Sequence, residues 1–214
     1  MPSFRAEMKG FSEAVEAYGV KTVTRAANST LKKVAAAGKT VASEEIRNRY
    51  NIKKSDLDPR LEVSPPRANN LTAEITISGK GTSLSYFSAK QTVRNRVITR
   101  GKTDGKASLK TSTRKRSAEF QGVTVEVEKG KRTQLKGAFL ARMISGHVGV
   151  MRKVTGKWMK KNERKQAIEE KQVISIASMV QNGQVEPKVI KRIEQAWETT
   201  FPHELEFQVR KGGA

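Results

Sequence analysis

The chain has 214 residues with 42 Lys and Arg against 21 Asp and Glu, a formal net charge of +21, so an isolated molecule repels itself and concentrates any polyanion around it. It contains no Cys and two His, which excludes disulfide staples, thiolate metal sites and Cys nucleophiles. Hydrophobic residues make up 36%, which predicts a small core whose ordering is completed by partners, and without an apolar run near 18 residues or a signal-like h-region a secreted or membrane-spanning protein is not expected.

Phe11, Ala14, Val15 and Tyr18 fall at i, i+3, i+4 and i+7 and predict an amphipathic helix broken at Gly19. Val20, Val23, Ala27, Leu31, Val34, Gly38, Val41 and Ile46 continue the helical spacing, predicting a long helix to about Arg49 that Gly38 weakens locally. Asp58-Pro59 and Ser64-Pro65-Pro66 close this helical region, because proline lacks a donor and pushes its predecessor toward extended geometry. Leu71, Ala73, Ile75 and Ile77 then alternate with polar residues, and a turn over 79–81 leads into Leu84 to Phe87, the pattern of a β-hairpin.

Residues 90–116 differ in kind: ten basic side chains oppose the single Asp104, a local charge of +9. With few apolar side chains to offset ordering entropy, the stretch 99–117 is expected as a flexible arm or a long hairpin tip. Val123, Val125 and Val127 resume strand alternation up to Gly130, and Gly137 opens a mixed segment that reaches strand-like Val148 to Arg152. Helical spacing returns at Val189, Ile190, Ile193, Ala196 and Trp197 after Glu186-Pro187; Pro202 is expected to interrupt it and start a further helix with Leu205 and Val209.

Candidate chemical sites are thin. His147 and His203 lie outside any ligand-spaced cluster and read as a turn residue and a polar residue near a helix start. Gly38-Lys39-Thr40 and Gly101-Lys102-Thr103 end like a phosphate-binding loop, but Lys33 and Arg96 stand where its earlier glycine is required. Asp56, Asp58, Glu62 and Glu74 could hold Mg²⁺ in a nuclease, although turn formation for the aspartates and solvent-facing strand positions for the glutamates explain them without one. Trp158 reads as an interface residue and Trp197 as helix core. No catalytic residue, metal site, cofactor or small-molecule substrate is expected. The basic segment, through Arg94, Arg96, Arg100, Lys102, Lys106, Lys110, Arg114, Lys115 and Arg116, suits adaptable contacts to phosphates with no sign of base readout; acidic protein surfaces are the competing target.

In the C-terminal half the sequence resembles the phage and prophage minor tail protein Z family, also called tail completion proteins. The likeness rests on Gly137-Ala138-Phe139-Leu140, Met143, Ser145-Gly146-His147, the run from Val150 through Arg152 to Gly156-Lys157, and Phe201-Pro202-His203-Glu204-Leu205. It extends more loosely over the Ala-rich N-terminal helix, Tyr50-Asn51-Ile52 and the 71–87 segment. Where relatives carry Pro-Ile, this chain has Ala167-Ile168 after a charged stretch from Lys160 to Lys165. The resemblance implies a non-enzymatic virion protein, made in the bacterial host cytoplasm, that completes the head-proximal end of a tail, joins it to a filled head and receives the DNA end. Its implied partners are copies of itself in a ring, six by tail symmetry, with tail terminator, tail tube or head-tail connector proteins and phage DNA. Within the matched stretch Gly137, Ala138, Phe139, Gly146, Val150, Arg152 and Gly156 are the candidate structural or interface residues. A cellular nucleic-acid-binding protein of ribosomal or nucleoid type is the alternative.

The fold expected is α+β: a long N-terminal helix and C-terminal helices on a mostly antiparallel sheet of 71–87, 92–98, 121–128 and 147–152. Its parts form a single domain, 1–214, with a helical region 1–50, a sheet region 60–157 and a C-terminal helical region 158–214.

Overall fold

The computed structural model describes residues 10–67, 70–93, 96–113, 122–159, 162–181 and 185–212. The class is α+β, with every strand pairing antiparallel. By its internal contacts the chain divides into two compact units, one of Met1–Ile46, Leu57–Gly79 and Ile176–Ala214, the other of Arg47–Asp56 and Lys80–Ser175.

The first unit is mainly helical. Helix α1, Phe11–Tyr18, is separated by Gly19 (φ 78°, ψ 151°) from α2, Val20–Arg49. That backbone geometry is open to glycine and strained for other residues, so the break falls where the sequence places it. Tyr18 and Val20, expected on the apolar stripes, are instead exposed at 51% and 67%, because they flank the break. From Val23 the stripe is buried at three- and four-residue intervals through Ala27, Leu31, Val34, Gly38, Ala42 and Ile46, with Ala42 in place of the expected Val41, which is half-buried. Gly38 does more than weaken the helix: a Cβ there would meet Ile193 and Ile75 at 3.0 Å, so its bareness is what lets the helix Val185–Gly212 and the strand Glu74–Ile77 approach.

Helix α5, Val185–Gly212, is one continuous helix. This corrects the expected break at Pro202 and removes His203 from a helix start to an exposed place in the helix. The turn before the proline is anchored by buried Trp197 and Phe201, whose rings stack with centroids 4.6 Å apart. Ion pairs Lys33–Glu204 and Lys188–Glu45, each 2.6 Å, link α5 to α2.

The hairpin expected over 71–87 does not form. Strand β2, Glu74–Ile77, pairs with β1, Leu61–Ser64, in the register Leu61↔Ile77 and Val63↔Ile75. The apolar alternation was sound, but its partner lies before it, directly after the 3-10 turn Asp58–Arg60. Leu84–Tyr86 is itself a 3-10 turn, capped by the Ser83 hydroxyl, which accepts from the Ser85 amide.

In the second unit, strands β4 (Lys90–Val93), β5 (Arg96–Thr103), β6 (Lys106–Thr113), β7 (Gly122–Glu126) and β8 (Arg132–Lys136) form a five-stranded sheet in the order β6-β5-β4-β7-β8. Strands β9 (Ala138–Arg142), β10 (Val148–Met159) and β11 (Asn162–Glu170) form a second sheet, and β3 (Gly81–Ser83) pairs with β12 (Gln172–Ser175). The single sheet expected from 71–87, 92–98, 121–128 and 147–152 is thus divided among separate sheets. Residues 162–175, expected within a C-terminal helical region from 158, are strands; helix resumes only at α4, Ile176–Gln181. Opposite charges face each other across β10 and β11 at Arg152↔Glu169, a pairing that favours antiparallel strands in a charged sequence. The core gathers Leu84, Ala89, Val123, Val125, Ala138, Leu140, Val148 and Val150. The short helix α3, Lys54–Leu57, also carries Asp56, one of the acids weighed as a metal ligand.

Candidate nucleic-acid interface

The basic segment is a hairpin. Strands β5 and β6 pair over eight positions, from Arg96↔Thr113 to Thr103↔Lys106. The turn between them is Asp104-Gly105, with φ of 50° and 73°, the two consecutive left-handed residues of a tight I′ turn whose twist matches the strands. The Asp-Gly pair was the sequence signal for this turn, masked in the reading by the surrounding charge.

Strand parity then sorts the cations. Ile98, Ala107 and Leu109 pack against the core, so Arg100, in step with Ile98 and opposite Leu109, belongs to the same face. Its guanidinium lies 3.4 Å from Asp56 and 4.2 Å from the centroid of the Tyr86 ring, and its side chain is 16% exposed. Arg100, expected among the phosphate contacts, is therefore a packing residue. Arg96 and Lys102 share its parity but are exposed near the two ends of the strand.

The opposite parity forms the outer face. Register places Lys110, Thr99, Lys90 and Thr124 side by side across β6, β5, β4 and β7. Lys106 belongs to the same face near the turn, and Lys136 lies across β8 in the row of Gly122 and Thr92. Lys90, Lys106, Lys110 and Lys136 are exposed, and among the described residues none of the four is in an ion pair. The stem of Lys110 lies over Gly101, where a Cβ would come within 2.7 Å of it. Lys136 was missed as a site residue because its placement beside the hairpin depends on strand order, whereas Lys90 was counted in the basic segment but not among its phosphate contacts. Arg94, Arg114, Lys115 and Arg116 lie outside the described residues.

Acids near this sheet are held by neighbouring cations. Glu126 accepts from the Gly130 amide at 3.0 Å and from Arg132 at 2.8 Å, and these bonds lower its carboxyl below the usual value. Glu128 is lowered likewise by Lys131, with a smaller effect from Arg49. Asp58 accepts from the Ser43 hydroxyl at 2.7 Å, while Glu62 and Glu74 are exposed strand residues. Among the described residues no three His, Asp or Glu side chains gather as a metal site would require, and no helix is long and apolar enough to cross a membrane.

The residues singled out by resemblance frame β9 and β10. Gly137 (φ 71°) turns the chain from β8 into β9, and Gly146 (φ 82°) closes the turn in which its amide bonds Met143 O at 2.9 Å. Ala138, Leu140 and Val150 are buried, Phe139 is half-buried, and Arg152 is exposed. Gly156 (φ 78°) sits in β10 where the register with β11 shifts between Lys153 and Trp158. His147 flanks the turn, its Nε2 2.7 Å from Glu170. Met143 and Ile144 expose apolar side chains at the turn, Ile144 fully.

Comparison places this two-unit α+β chain with its lysine-bearing sheet among the minor tail proteins of bacteriophages. A family model described as prophage minor tail protein Z (GPZ) matches residues 8–212, and the chain belongs to that family. No curated protein and no solved structure matches it.

Proposed function

We propose that this protein completes the head-proximal end of the tail, joins the tail to a filled head and meets the incoming DNA end. The observation that carries this reading is the family match over residues 8–212, which spans both units rather than one module. The charge of +21 supports a polyanionic neighbour. The protein acts by binding rather than by chemistry. Its copies associate head to tail in a closed ring, six by the symmetry of the tail, against the tail terminator, tail tube or connector proteins. Disrupting the gene in the parent phage should leave filled heads and tails that fail to join, with joining restored by the wild-type chain supplied in trans. Immunogold labelling of intact virions should mark the neck. Label at the distal tail tip, or normal joining without the protein, would refute the head-proximal role.

A further inference from the structure

We propose that the outer face of the five-stranded sheet, through Lys90, Lys106, Lys110 and Lys136, is a duplex-DNA backbone surface without sequence preference. The proposal deepens the DNA contact proposed above but does not depend on where in the virion the protein sits. Two features of the face favour phosphates. Its cations come from three strands, β4, β6 and β8, on one face of the sheet, Lys110 and Lys90 standing about 10 Å apart with Thr99 between them, as the usual spacing of strands dictates. Its other positions include the hydroxyls of Thr99 and Thr124, and its acid Glu126 is bound by Arg132 of the same face; Lys with Ser and Thr hydroxyls is a set that contacts phosphate oxygens.

What the face lacks decides between targets. A protein interface is organised around an apolar or aromatic centre, and a single-strand site around stacked aromatics. The described outer positions of β4–β8 include one apolar side chain, half-buried Val97, and no aromatic. The hairpin's other face cannot substitute, since Arg100 there is committed to Asp56 and Tyr86. Gly101 contributes by its bareness: the Lys110 stem lies flat over it, which holds that ammonium beside the sheet rather than away from it.

The test is binding of the full chain to duplexes of unrelated sequence over a range of salt, followed by fluorescence anisotropy. Each phosphate neutralised contributes roughly -0.9 to the slope of log affinity against log salt, so K90Q/K106Q/K110Q/K136Q should flatten that slope by about 2 to 4 units on every sequence. The opposite-parity pair R96Q/K102Q should change it by less than one. An unchanged slope in the quadruple variant overturns the proposal, as does a loss per residue equal in the two variants, which would mean that net charge and not this face is responsible. Thr99→Glu, an acid set between Lys110 and Lys90, provides a second measurement if the quadruple variant does not fold; it should weaken binding about tenfold, and unaltered affinity counts against the face. If the quadruple variant binds DNA normally yet is excluded from virions, the face docks on acidic protein and the DNA assignment fails. If DNA binding behaves as expected while immunogold places the protein away from the neck, only the head-proximal reading is lost.

Discussion

Arg100 and Lys110 belong to one hairpin and carry the same charge, yet strand parity gives them opposite work. The planar guanidinium of Arg100 can stack on Tyr86 while reaching Asp56, a combination that an ammonium cannot reproduce as well. Lys110, over Gly101, keeps its charge at the surface. The acid at Glu126 gives this sheet a measurable pH response. Because its carboxyl titrates below the usual 4.5 when folded, chiefly through the Gly130 amide and then Arg132, it stabilises the fold above the unfolded value. That contribution is lost as pH falls through the lowered folded value. Glu126→Gln should therefore lower the melting temperature at neutral pH, and the gap to wild type should close as pH falls through the lowered value of the folded carboxyl. Melts showing a gap that does not vary with pH would mean that the charge on Glu126 is immaterial to stability.

Among the elements, α5 tests how far local sequence rules extend. Pro202 lacks the amide that would bond the Glu198 carbonyl, and a proline inside a helix costs about 3 kcal/mol. The helix nevertheless runs on through it, held in the preceding turn by Trp197 and Phe201. Pro202→Ala should raise the stability by up to about 3 kcal/mol, read as a higher denaturation midpoint in urea; a lower midpoint would show that the helix is fitted to the bend the proline imposes. The long helix and the Val123–Val127 alternation were legible because a single stripe or face decides them. Strand β2 was legible as a strand, but its partner β1 was not, since pairing depends on what the chain brings alongside and Pro65-Pro66 obscured the four residues before it. Strand β11 was hidden by its charge, as at Glu169, which stands opposite Arg152 across the sheet, and β12 by its length of only four residues. Of the candidate site, the basic segment could be located from composition. Its division into a packed Arg100 and an exposed Lys106 and Lys110 required the register, and Lys136 joined it only through the strand order.

On the scale of the whole molecule, the two units are interleaved along the chain, and both ends of the described sequence fall in the first of them. This gives the protein a built-in timetable during synthesis. All residues of the second unit have been made once Ser175 is added, whereas the first still awaits Ile176 onward. A domain folds as its parts emerge, so the sheets can form while α2 has no α5 to cover the surface around Gly38. Buried side chains such as Ile193, Trp197 and Phe201 arrive after those sheets, and most helical stability in proteins comes from packing of this kind. A chain stopped after Ser175 should keep slowly exchanging amides in β4, β5 and β7 and lose them in α2, as hydrogen exchange read by mass spectrometry would report. Protection retained in α2 would mean that it does not wait for α5. Translation thus delivers the lysine-bearing sheet before the latch of the helical unit, so a nascent chain can expose its polyanion-attracting surface before its own architecture is closed.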